Sequence, residues 1–294
     1  MATRANRFNR VLALAAVGAL FVAVAGCSDD DNATNSGDPQ GYLDADGIVG
    51  GKLYDKFWAT ETGWNQSDPN LASYNAKADF YRCKQCHGWD LKGSQGAYIS
   101  RSPNANRPNV SPQNLLTIAA GKTPQQLFDA LNSSTGRRSV TADLSTYDPN
   151  TNPTTGDKMP DIGSVFTDAQ IWDLVKFLKE EAIEVNSLYE SQTTGTYPTG
   201  SITYSNIGKD GVAANGDATY TAKCMGCHGI DGAFILVDGG GFTVGSFVRS
   251  KPNEAQHKIK FGQLGTPMGS LVTEDAEMKD LYKALTNATK YPNP

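Results

Sequence analysis

Two pentapeptides constrain this chain more than any other feature: Cys83-Lys84-Gln85-Cys86-His87 and Cys224-Met225-Gly226-Cys227-His228. The chain holds only five cysteines and three histidines, so these two segments take nearly all of both. Two thiols three positions apart can add across the two vinyl groups of one haem. The adjacent imidazole then lies under the iron as its proximal ligand. Other uses of paired cysteines fit less well. A thioredoxin-like redox pair does not call for histidine at the next position, and no βαβ pattern surrounds either site. A zinc ribbon holds its pairs about 15–20 residues apart, whereas Cys86 and Cys224 are separated by over a hundred residues. Two structural disulfides would need unrelated spacings to coincide.

On these motifs the sequence resembles the class I c-type cytochromes, as two domains in tandem covering most of residues 70–290. Tyr81 ahead of the first motif, and Gly216-Asp217 with Tyr220 ahead of the second, are similar to that family's N-terminal helix. Each motif continues with Gly and then Asp two residues later, as Gly88-Trp89-Asp90 and Gly229-Ile230-Asp231, which reads as an internal repeat. The resemblance implies a mainly α, loop-rich fold of two tandem cytochrome c-like domains. It implies two haem c groups, bound covalently at Cys83 and Cys86 and at Cys224 and Cys227, with His87 and His228 as axial ligands. The expected organisation is a signal peptide over 1–26, a flexible tether over 27–41, a first haem domain over 42–195 with an N-terminal extension and a long insertion, and a second over 196–294. The extension carries Trp58 and Trp64, and a Thr/Gly/Ser-rich stretch, 191–201, separates the two domains.

The opposite iron face needs a ligand, and the five methionines can be sorted. Met1 leaves with the leader, Met225 lies between two attachment cysteines on the proximal side, and Met278 sits in a helical stretch where a core role suits it. Met159, in Asp157-Lys158-Met159-Pro160, and Met268, in Gly265-Thr266-Pro267-Met268-Gly269, remain. Both segments resemble the family's distal-ligand loop, and proline beside methionine stiffens each. His257, the one histidine outside the motifs, is the alternative to Met268 and would give a bis-histidine iron.

After each loop a helix is expected. Thr167 with Gln170 makes a capping box, followed by Ile171, Leu174, Val175 and Leu178 at helical spacing. The counterpart starts near Thr273 and runs through Leu285, and Thr123-Pro124 reads as a further helix start. Hydrophobic residues make up 39% of the chain, a low share that two apolar haem discs would offset. Arg101, Arg107, Arg137 and Arg138 lie in the long insertion and are candidates to neutralise propionates or simply to face solvent.

Arg4, Arg7 and Arg10 precede an apolar run from Val11 to Val24, and Ala25-Gly26-Cys27 follows. A basic start, a short apolar middle and small residues describe an export signal. The segment Val24-Ala25-Gly26-Cys27 resembles a bacterial lipobox, which implies cleavage before Cys27 and its lipidation. Several acyl chains on one residue give durable attachment to a membrane. Loss of residues 1–26 removes three arginines and no acids, taking the net charge from −5 to −8. That charge weighs against nucleic acid as a partner. Ser28 after the cysteine resembles the outer-membrane sorting pattern, so the expected place is the periplasmic or cell-surface side of a membrane.

These readings lead to an electron carrier that cycles Fe(III)/Fe(II) and meets other redox proteins through small, transient interfaces. Two further classes stay open. One is a di-haem enzyme of the peroxidase or thiosulfate dehydrogenase type with one displaceable distal ligand. The other is a haem subunit of a larger respiratory complex.

Overall fold

A computed structural model describes residues 37–59 and 66–294. The leader, Cys27, most of the tether and Trp64 lie outside the described residues. Everything below belongs to the unit Asp38–Pro294. In chain order the helices are α1 (Gln40–Leu43), α2 (Gly47–Lys56), α3 (Leu71–Ala76), α4 (Cys83–His87), α5 (Leu115–Ala120), α6 (Pro124–Asn132), α7 (Thr154–Asp157) and α8 (Asp168–Lys176). A π-helical turn, Phe177–Glu181, continues α8. A hairpin of β1 (Glu190–Thr194) and β2 (Ser201–Ser205) follows. Then come α9 (Ala213–Lys223), α10 (Met225–His228), α11 (Val244–Ser250), α12 (Pro252–Phe261) and α13 (Asp275–Leu285).

Local chemistry explains where the helices begin. Asp46 opens α2 by accepting hydrogen bonds from Ile48 N at 2.8 Å and Val49 N at 3.1 Å, satisfying donors that no preceding turn can reach. At α8 the expected capping box forms: Gln170 N donates to Thr167 Oγ1 at 3.3 Å, and Thr167 N donates to Gln170 Oε1 at 3.0 Å. Thr123 and Gln126 do the same for α6, with Pro124 in its first turn.

The core of the described residues divides into two large clusters and a small one of Trp89, Tyr98 and Val110. The first gathers Tyr54, Phe57, Tyr74, Tyr81, Phe166, Ile171 and Leu174. Phe57 sits edge-on to Tyr74 and Phe166, with ring centroids 5.2 and 5.0 Å apart, the arrangement aromatic quadrupoles favour. The second gathers Tyr220, Val272, Met278, Leu281, Tyr282, Leu285 and Tyr291. Met278 thus packs in the core, as its helical setting suggested. Phe261 at the end of α12 belongs to the first cluster. Gly51 of α2 makes room for it, since a Cβ there would lie 2.2 Å from the Phe261 ring.

Two expectations need correction. Tyr81 does not lie on an N-terminal helix: it sits in a turn between a 3-10 helix, Ala78–Phe80, and α4. The helix that packs against α8 and reaches the first motif is α2, in the segment read as an extension, and residues 57–82, with α3 among them, separate it from α4. The stretch 191–201 is not a free spacer either. It supplies β1 and the turn into β2, with Glu190 opposite Ser205 and Thr194 opposite Ser201. Tyr197 in that turn donates to Asn109 Oδ1 at 3.1 Å and accepts from Val110 N at 3.1 Å, which holds the hairpin against the first half.

Candidate functional site

The first motif is a single helical turn, α4, stopped at Gly88. With φ 78° and ψ 161°, Gly88 turns the chain through a conformation that side chains oppose. Burial, reinforced by Arg137, pushes the His87 imidazole down to about 4, so it is neutral at ordinary pH. Its Nδ1 is buried with no hydrogen-bond partner among the described residues. Burial pushes the Cys83 thiol up to about 12 and the Cys86 thiol to about 11, keeping both protonated.

Cys83, Cys86 and His87 line a cavity of about 360 Å³, and Met159 and Arg137 line it too. The Met159 segment is pinned on both sides. Arg138 N donates to Met159 O at 3.1 Å, and Asp161 N donates to Arg138 O at 2.8 Å. Upstream, the Asp157 carboxylate accepts from Asn109 N at 2.9 Å, Asn109 Nδ2 at 2.6 Å and Tyr147 OH at 2.7 Å. Arg137 Nη1 lies 2.9 Å from Met159 Sδ. Arg138 is 5% exposed and donates to Lys158 O at 3.1 Å and to Phe80 O. Its Nη1 is buried with no hydrogen-bond partner among the described residues. Of the four arginines singled out, Arg137 alone lines this cavity. Arg107 bonds Ser102 O, and Arg101 stacks on Tyr98.

The second motif follows directly from α9, and Gly229 ends α10 with φ 78° and ψ 174°, the Gly88 conformation over again. His228 Nδ1 lies 3.4 Å from Ile235 O, and Phe234 N donates to His228 O at 3.0 Å. Cys224 is buried and Cys227 exposed. Cys224, Met225 and Met268 share the second apolar cluster. The Met268 loop is closed by Gln263 N donating to Met268 O at 2.9 Å. Ile230 and Phe234 are 77% and 80% exposed, which leaves an apolar face beside the motif.

His257 lies elsewhere. It is 1% exposed, and its ring meets Phe261 at 4.6 Å, Trp89 at 4.8 Å and Tyr54 at 5.9 Å. Burial pushes it down to about 3. Its aromatic neighbours include Tyr54 and Trp89 from the half holding the first motif.

One relationship occurs twice, and the sequence reading missed half of it. Tyr54 of α2 donates to Gly88 O at 2.6 Å, and Tyr220 of α9 donates to Gly229 O at 2.7 Å. Four residues before each tyrosine stands a glycine against another helix's backbone. A Cβ on Gly50 would lie 2.0 Å from Asp173 O, and one on Gly216 would lie 1.9 Å from Asp280 O. The two aspartates also match. Asp173 Oδ1 accepts from Asp46 N at 2.7 Å, and Asp280 Oδ1 accepts from Val212 N at 2.6 Å. Thus α2 crosses α8 as α9 crosses α13, and each crossing braces the glycine after a Cys-x-x-Cys-His turn. The sequence signal was Gly-x-x-x-Tyr at 50–54 and 216–220, with Asp-Leu at 173–174 and 280–281.

Residues 73–181 match the family model described as cytochrome c. No curated protein and no solved structure matches the chain. The cytochrome c match takes in Cys83, Cys86, His87 and Met159 and leaves α2 upstream of its start. The matched family implies covalently bound haem c and haem-based electron transfer for that segment. The residues fit such a group: two thiols, a neutral imidazole and a thioether line one cavity.

Proposed function

We propose that the chain is an exported, lipid-anchored electron carrier with two haem c groups, one in each half of residues 38–294. Haem c supplies a one-electron Fe(III)/Fe(II) couple when bound. In the first half, Cys83 and Cys86 would hold it covalently, His87 and Met159 would ligate its iron, and Arg137 would set the polarity on the methionine side. In the second half, Cys224 and Cys227 would attach the group, and His228 and Met268 would ligate. The Ile235 carbonyl beside His228 Nδ1 suits an imidazole held in one orientation, since a ligating histidine keeps its ring fixed through its other nitrogen. Met268 is preferred to His257, because the aromatic cage around His257 takes up its ring faces and shares nothing with Cys224.

The observation that carries the count of two is the duplicated brace, Tyr54 to Gly88 and Tyr220 to Gly229. A chance Cys-x-x-Cys-His would have no reason to share it. Cys27 would carry the lipid that keeps the acidic mature chain at a membrane, with redox proteins as transient partners. Pyridine haemochrome quantitation with intact-mass analysis tests the reading. Two haems per chain are expected, falling to one in the Cys224→Ala/Cys227→Ala double variant. One haem in the unaltered chain overturns the second site. A mass without acyl groups at Cys27 overturns the anchor.

A further inference from the structure

A second cavity, of about 700 Å³, lies apart from the Met159 cavity, where the loop after α4 meets β2 and the start of α12. Its charged lining is Lys84, Arg101, Arg249 and Lys251 against Asp238 and Glu254. Four cations thus face two carboxylates, within a chain whose net charge is −5. Lys251 and Arg249 are already committed, the first to Asp238 and the second to the carbonyls of Leu285 and Tyr291. Lys84 is not, and Arg101 is held only by a long ion pair to Asp79 and by the Tyr98 ring. Lys84 is 7% exposed, and its Nζ lies 4.5 Å from the Trp89 ring centroid. No hydrogen bond or ion pair meets that ammonium among the described residues. Arg101 reaches Asp79 only at 3.4 Å, and its Nε is buried with no hydrogen-bond partner among the described residues.

Lys84, a buried cation with no counter-ion in contact, carries a desolvation cost that a bound anion relieves, and the part-buried Arg101 lines the same cavity. Burial, with Arg82 adding to it, pushes the Lys84 ammonium down to about 7, the same strain seen from the proton's side. We propose that this cleft binds a small organic polyanion of the di- or tricarboxylate class, held by Lys84 and Arg101. A small molecule fits better than a protein surface, because Lys84 is too deeply set for a flat partner to reach. The volume falls within the roughly 300–1,000 Å³ of small-molecule sites. Ile202 and Tyr204 offer an apolar wall for a carbon skeleton.

Lys84 occupies the position that Met225 holds in the second motif, so Lys84→Met removes the charge with a side chain that such a turn already carries. The test is isothermal titration of the haem-loaded full chain with citrate, in metal-free buffer at low ionic strength. One saturable site is expected, with citrate affinity at least about tenfold weaker in Lys84→Met and in Arg101→Gln, each of which loses a charge-assisted contact. Glu254→Gln removes a carboxylate facing the site and is expected to tighten binding about threefold, a gain that misfolding does not produce. No saturable heat overturns the proposal, and is also the result expected if a haem propionate already fills the cleft. Unchanged affinity in Lys84→Met, or weaker binding in Glu254→Gln, overturns it equally.

Discussion

Lys258 Nζ lies 2.6 Å from Asp55 Oδ2, an ion pair in which Asp55 is 2% exposed. It joins α2, which braces the first motif, to α12, which lies beyond the second. Arg82, the residue before Cys83, contacts the other oxygen of Asp55. Burial alone would raise this carboxyl, but Lys258 and Arg82 outweigh it and hold Asp55 well below the usual carboxylate range. One carboxylate therefore ties α2 and α12 to the start of the first Cys-x-x-Cys-His turn.

Removing that carboxylate strands the buried Lys258 and the half-buried Arg82. Asp55→Asn is expected to destabilise the fold by about 3–5 kcal/mol, measured by urea unfolding of the haem-loaded chain. The pH dependence has a definite sign. A depressed folded pKa contributes stability above the unfolded value, near 4, and that contribution is lost as pH falls from there toward the folded value. The unaltered chain should lose stability below about pH 4, and Asp55→Asn should lose less over the same interval. Equal acid sensitivity in the two proteins would contradict this.

The duplicated brace makes a paired prediction. Tyr54→Phe and Tyr220→Phe each leave a glycine carbonyl with only a long backbone donor, Leu91 N or Gly232 N at 3.4 Å, at an expected cost of about 1 kcal/mol. Gly88 is buried and Gly229 half-buried, so the loss is expected to be the larger at Tyr54. Differential scanning calorimetry checks both variants. A loss at Tyr54 matched by none at Tyr220 would break the equivalence of the two halves.

The glycine contacts give a sharper test of the helix crossings. Gly50→Ala and Gly216→Ala would each drive a methyl group into a facing carbonyl, at 2.0 and 1.9 Å. The helices must separate, which costs about 1–3 kcal/mol as overpacking does. Gly121→Ala is the control. Its added Cβ would meet nothing nearer than 3.6 Å and its φ is −86°, so a change within about 0.5 kcal/mol is expected. Chemical denaturation should separate the two classes of variant.

Much of this was legible in the sequence because it is local. Each Cys-x-x-Cys-His turn, the capping boxes at Thr123 and Thr167, and the Met159 and Met268 loops announce themselves within a few residues. The helix at 47–56 did not. Tyr54 acts on Gly88 across 34 residues, whereas Tyr220 acts on Gly229 across nine, and the cytochrome c match also begins only at residue 73. An insertion between a helix and the motif it braces hides their relation from any reading by proximity. The hairpin was hidden for another reason. All five residues of β1 are exposed, so no apolar alternation marks it, and its Thr, Ser and Gly content reads as loop. His257 shows the limit of counting candidate ligands, since its aromatic cage comes from Tyr54, Trp89 and Phe261, which no spacing rule connects to it.

The distal assignments separate by spectroscopy. If Met159 ligates the first iron, Met159→His replaces a thioether with an imidazole. The potential of one haem should then fall by a fraction of the roughly 0.8 V that axial ligands span, while the other haem is unmoved. Met268→His should do the same to the other haem, and each variant should lose part of the methionine–iron charge-transfer absorption. His257→Phe distinguishes the alternatives for the second iron. Its ring sits among Phe261, Trp89 and Tyr54, so an aromatic replacement keeps the packing while removing any ligand. Both potentials are expected to stay in place in His257→Phe. A rise in one potential, or a high-spin signal from one iron, would assign His257 to the metal and remove Met268 from it.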